Sequence, residues 1–247
     1  MRDDQALGLR RLFARRRARM LGVIGEDATA VTLELAAAFG RAAQRVLLLD
    51  RTCGEIAAGL GLRARWDLRH ALCGDKAWRD VVLPAPGGMT LLPAARALDD
   101  ASGLGSAACE GLCATLDDTL GPFDVMLING APLPLREAGV LLALAPTSSA
   151  LTRAYTELKQ LARQAQPTRC DVAIHRARSE DAALDAFDSV ALTAGRFLGM
   201  TLALAGTMPG APQSFDADAA SPRSRAVTRI AQRLLADPPA PRLAVNH

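Results

Sequence analysis

Residues Met20 to Thr52 read MLGVIGEDATAVTLELAAAFGRAAQRVLLLDRT, and the rest of the chain is best understood outward from them. Met20 to Ile24 is a short apolar run, and Gly25-Glu26-Asp27 is turn material. From Thr29 to Ala43 strong helix formers dominate, with Val31, Leu35, Ala38 and Phe39 near one face. Val46 to Leu49 is a second apolar run, closed by Asp50. Continuously apolar strands are buried on both faces, which is the condition of a parallel sheet covered by helices. A strand, a turn and a helix at the start of such a sheet form the usual place for a phosphate loop, because N–H groups at a helix N-terminus point at an anion. A working loop needs glycines to wrap the phosphates and a Lys followed by Ser or Thr for the phosphates and Mg²⁺. This turn offers Gly25, two acids and no Lys, with Thr29 where the metal-binding hydroxyl belongs. The two lysines of the chain, Lys76 and Lys159, lie elsewhere, and Arg19 precedes the strand. The residues therefore predict a structural β–α turn rather than an ATP-hydrolysing one.

The bulk properties agree with one α/β domain. The chain has 247 residues, half of them hydrophobic, and a net charge of +3 that is too small to argue for nucleic acid by itself. Five scattered cysteines (Cys53, Cys73, Cys109, Cys113, Cys170) suit reduced thiols in a cytosolic protein. Neither the Cys109/Cys113 pair nor His70, His175 or His247 completes a metal set, and no apolar run has the roughly 18 residues of a membrane span.

Strand and helix signals alternate along the chain. Gly54 to Arg65 reads as a glycine-punctuated connection and Asp67 to Leu72 as a short helix. The run Val81-Val82-Leu83 stops at Pro84, and Pro86-Gly87-Gly88 marks a turn. Strands are expected at Met89–Leu92, Phe123–Ile128, Val140–Ala145, Asp171–Ile174 and Thr201–Ala205, with helices over 102–120, 149–164, 181–198 and 223–235 between and after them. The expected fold is an α/β sheet of about 7–8 mostly parallel strands with helices on both faces. Three regions follow: an N-terminal arm over 1–18, the α/β body over 19–236 and a disordered tail over 237–247. In the arm, Ala6, Leu9, Leu12 and Phe13 recur at helical spacing and Arg10, Arg11, Arg15, Arg16, Arg17 and Arg19 form a basic run. That suits either a solvated basic arm or a helix that docks in a partner's groove.

With these pieces in place, the chain resembles the P-loop, MinD/ParA-like ATPases over nearly its full length, and within them the flagellar regulators called FlhG or FleN. The N-terminal pattern D-Q-A-x-x-L-R of that family stands here as Asp4-Gln5-Ala6-Leu7-Gly8-Leu9-Arg10. Further matches are Arg45 to Asp50, Pro146-Thr147-Ser148 with Tyr155 and Lys159, Arg196-Phe197-Leu198, and Ser221 to Ser224. The resemblance implies that Asp4, Gln5, Ala6, Leu9 and Arg10 engage and stimulate the signal-recognition-type GTPase FlhF. It also implies flagellar switch or transcriptional regulator proteins as further partners. The C-terminal membrane helix of the family finds no match, because the final helix runs into Asp237-Pro238-Pro239-Ala240-Pro241, which leaves peripheral membrane contact open. The departures are as specific. The KGGxGKT loop of the family is replaced by Val23 to Thr29, so both its lysines are absent; Arg51 and Thr52 follow Asp50 where a second acid is expected. Asn129 stands for the metal-linked Asp of the fourth strand, and His175 for a base-reading Asn. Gly25, Thr29, Asp50 and Asn129 are thus the remnants of the nucleotide site, and the resemblance implies a pseudo-ATPase with no cofactor where the family uses ATP and Mg²⁺. A cytoplasmic protein, at the inner membrane or cell pole in the family's manner, is expected. The rival readings are a conventional ATPase that dimerises with ATP and cycles on the membrane, a MinD-like accessory of cellulose synthesis, and a ParA relative that binds DNA through its arginines.

Overall fold

The computed structural model describes residues 18–101, 106–120, 123–131, 138–164, 169–212, 215 and 218–236. The Asp4–Arg10 motif and the tail over 237–247 lie outside the described residues. In chain order the body runs β1 (Arg19–Gly25), α1 (Ala28–Arg41), β2 (Val46–Asp50), α2 (Glu55–Gly59), α3 (Leu68–Leu72), α4 (Trp78–Val81), β3 (Leu83–Ala85), a 3₁₀ turn (Pro86–Gly88), β4 (Met89–Pro93), α5 (Ala95–Ala101), α6 (Ser106–Leu120), β5 (Val125–Asn129), β6 (Gly139–Leu144), α7 (Ser148–Gln164), β7 (Arg169–His175), α8 (Glu180–Leu198), β8 (Thr201–Met208) and α9 (Pro222–Ala236).

One eight-stranded sheet has the order β3-β4-β2-β5-β1-β6-β7-β8. Every pair is parallel except β3 with β4. Successive side chains of a strand point to opposite faces, so each apolar strand feeds two cores. On β6, Leu141 and Ala143 join the cluster built with α1 and α9, while Val140, Leu142 and Leu144 join the one built with α7 and α8. A third cluster sets Leu47, Leu49, Met126 and Ile128 against Leu68, Leu98 and Leu116. Fully apolar strands are thus explained by helices on both sides.

Three expectations need correction. Val81 ends a helical turn, and the strand is Leu83–Ala85, which contains Pro84. It survives because β3 is an edge strand, where a missing N–H costs no ladder bond. The Gly54–Arg65 connection holds the short helix α2. Helical structure before β5 begins at Ala95 and is described as two pieces, with 102–105 outside the described residues.

Candidate functional site

The chain leaves β1 toward β2 on one side, while β6, β7 and β8 build the other, so the direction of winding reverses at β1. A crevice at the carboxyl end of the sheet is expected at such a point, over the β1–α1 turn. Gly25 begins that turn with φ of 104°, and a Cβ there would sit 2.1 Å from the Ala143 carbonyl oxygen. Only glycine satisfies both conditions. The Glu26 N–H donates to the same carbonyl at 3.2 Å, which anchors the turn on β6.

Asp27 stands at the N-cap of α1 but does not cap it. Its φ of 58° and ψ of 23° are left-handed, and its side chain makes no cap hydrogen bond. Instead Asp27 Oδ2 lies 2.6 Å from the guanidinium of Arg176, just past β7. Arg176 is left-handed too, with φ of 59°, and its N–H donates to the Gly210 carbonyl at 3.1 Å. Two non-glycine residues in this conformation, meeting across β6, indicate local strain held by the ion pair and the surrounding loops. His175 lies beneath, fully buried, with Nδ1 3.8 Å from Asp27 Oδ2. Burial pushes the His175 pKa down; Asp27 opposes the shift, and Arg223 and Arg176 reinforce it. Glu157 of α7 is half-buried beside the turn, and burial raises its carboxyl, against the Gly25 N–H and Arg153, which favour the charged form.

Thr29 and Asn129 are brought together. Asn129 Nδ2 donates to Thr29 Oγ1 at 2.8 Å, and Thr29 Oγ1 donates to Glu55 Oε2 at 2.8 Å. The hydroxyl that would face a metal therefore has its proton committed to a carboxylate from α2. Asp50 is buried and turned to its own loop: Oδ1 accepts from the Thr52 N–H and hydroxyl, and Oδ2 from the Ala57 N–H at 3.4 Å. Its hydrogen bonds go to Thr52 and Ala57 and not to Thr29 or Asn129. Arg51, which follows it, donates to the Ala131 carbonyl at 3.0 Å and lies 3.3 Å from Asp99. A phosphate at the N-terminus of α1 would meet the Asp27 carboxylate, with no lysine to receive it. Arg176, Glu55 and Glu157 were not singled out in the sequence, because no short spacing joins them to the turn. Among the described residues no group of three or more His, Cys, Asp or Glu side chains could hold a metal ion.

Comparison with known proteins places these features. No family model matches the chain. The chain is 28% identical over 195 residues to the antiactivator FleN of Pseudomonas aeruginosa, covering 75% of this chain and 70% of that one. The fold is similar to MinD in the MinC:MinD cell division complex of Aquifex aeolicus, with a TM-score of 0.64, 18% identity, and coverage of 89% of this chain and 97% of that one. It is also similar to a plasmid partition protein of Borrelia burgdorferi bound to AMPPNP, with a TM-score of 0.63, 12% identity, and coverage of 90% and 99%. In sequence the chain is thus similar to the antiactivator FleN, and its fold is that of the MinD and partition-protein structures.

Proposed function

We propose that this protein regulates flagellar biosynthesis, in number or placement, by presenting residues 4–10 to an FlhF-type GTPase, on a body that does not hydrolyse ATP. The regulatory role is supported by the similarity to FleN and by the intact Asp4-Gln5-Ala6-Leu7-Gly8-Leu9-Arg10 pattern. In this reading Gln5 enters near the partner's nucleotide, Ala6 and Leu9 pack in its groove, and Arg10 pairs with an acid.

The loss of ATP chemistry rests on one observation above all, the Asp27–Arg176 ion pair at 2.6 Å across the β1–α1 turn. It fills the turn with a carboxylate and engages the Arg176 guanidinium, so a phosphate would have to break the pair and then face Asp27, with no lysine in the turn to receive it. The Asn129 N–H already occupies the Thr29 oxygen that would face a metal. The turn therefore does not suit a magnesium nucleotide, and no catalytic step is assigned to it.

Thermal unfolding with and without Mg²⁺-ATP separates this reading from a conventional ATPase. A micromolar site at a thousandfold excess of ligand over Kd would add about 4 kcal/mol, raising the Tm of a domain this size by roughly 10 °C. The expected result is no shift; a shift of that size would restore the ATPase reading.

A further inference from the structure

Arg225, Arg229 and Arg233 follow one another at four-residue intervals on α9 and are exposed. That spacing lines up their guanidinium groups with a rise of about 6 Å from one to the next. The opposite side of the helix is buried through Val227, Ile230 and Leu234. No acidic residue occurs between Pro222 and Ala236. Among the described residues, none of the three arginines takes part in an ion pair, whereas the buried Arg223 of the same helix is held by Glu34.

At one end of this line Arg225 and Arg229 wall a cavity of about 430 Å³, within the range of sites that enclose a small ligand or an inserted side chain. The first turn of α8, with Ser179 and Glu180, lines it as well, and Ala183 and Met208 add an apolar surface. The cavity lies at the open edge of the sheet: β8 is the terminal strand, and α8 and α9 pack on its opposite faces. Two guanidinium groups against one carboxylate make it an anion-favouring recess, and the helix N-terminus adds to that preference.

We propose that this face docks an acidic peptide segment of a protein partner, with carboxylates on Arg225, Arg229 and Arg233 and one apolar side chain in the recess over Met208. An extended chain repeats its side chains on one side about every 6.6 Å, close to the spacing of the arginines. The recess also separates the candidates. A lipid surface or a DNA duplex would engage the arginine line alone and leave the recess, with its Ala183 and Met208 wall, unfilled.

The test is fluorescence anisotropy of the full chain with a labelled peptide alternating Ser with Leu, Glu, Glu and Glu in turn, so that the Leu and the three Glu share one side of an extended chain. Competitors are the same peptide with Gln for Glu, oligo-Glu of equal length, a DNA duplex and phosphatidylglycerol vesicles. The alternating peptide should bind best. Arg225→Glu combined with Arg229→Glu should weaken it about tenfold or more, since both positions are exposed and the variant should keep its thermal midpoint. Ala177→Trp, which fills the recess without changing charge, should weaken the alternating peptide and leave oligo-Glu unaffected. Absence of binding, an affinity unchanged by the charge reversal, or equal or tighter binding of oligo-Glu, DNA or vesicles would each overturn the proposal.

Discussion

A methyl group at position 25 has nowhere to go. The Ala143 carbonyl oxygen already lies 2.1 Å from where a Cβ would stand, and the backbone there has φ of 104°. Gly25→Ala should therefore cost roughly 3 kcal/mol, from a backbone clash and a disfavoured dihedral together. Denaturant unfolding measures this directly, and a cost under about 1 kcal/mol would mean that the turn relaxes freely. His175 gives a second prediction, with a defined sign. Its folded pKa is lowered from 6.5, chiefly by burial, so the unfolded chain takes up the proton first. The stability contributed by the neutral ring is fully present above about pH 6.5 and is lost as the pH falls through the lower folded value. His175→Gln should flatten the fall in thermal midpoint between neutral and mildly acidic pH, and an unchanged slope would assign that fall to other groups. The Asp27–Arg176 pair was not legible in the sequence. Its members belong to separate β–α connections, and only the placement of β6 between β1 and β7 brings those loops together.

Among the elements, α9 is fastened to α1 by a buried ion pair. Arg223 Nε and Nη2 donate to the two carboxylate oxygens of Glu34 at 2.6 and 2.9 Å, and Nη1 donates to the Gly210 carbonyl at 2.8 Å. Both side chains are nearly inaccessible, at 3% and 7% exposure. Removing one partner leaves an uncompensated charge in the interior, so Arg223→Ala should destabilise by about 3–5 kcal/mol. A joint replacement, Glu34→Met with Arg223→Met, should cost much less than the sum of the single changes, and additive costs in a double-mutant cycle would refute the coupling. The pair also shows where reading by periodicity stops. Apolar runs and helix formers located β1, β2, β5 and β6 and the helices α1, α7, α8 and α9, because burial on both faces leaves a continuous signal. The edge strand Leu83–Ala85 was missed: it has three residues, includes Pro84 and has no deep burial to mark it. Thr29 and Asn129 were named separately as remnants of a nucleotide site, and nothing in their spacing showed that they meet. Glu55 takes the Thr29 proton, and it lies in a helix that the glycines around it concealed.

At the scale of the whole molecule, a sheet with the fold of MinD carries a crevice whose turn is crossed by its own ion pair, and the Asp4–Arg10 stretch lies in the sequence ahead of β1. Among the described residues no helix is long and apolar enough to cross a membrane. In the proposed function two parts have two roles: the body holds one arrangement without nucleotide, and the N-terminal segment acts on a partner. The direct test is the GTP hydrolysis rate of the cognate FlhF-type GTPase, alone, with the full chain and with the chain lacking residues 1–18, each with and without Mg²⁺-ATP. The account predicts a rise of about tenfold or more with the full chain, independent of ATP and abolished by the truncation. Stimulation that survives the truncation, or that requires ATP, would contradict it.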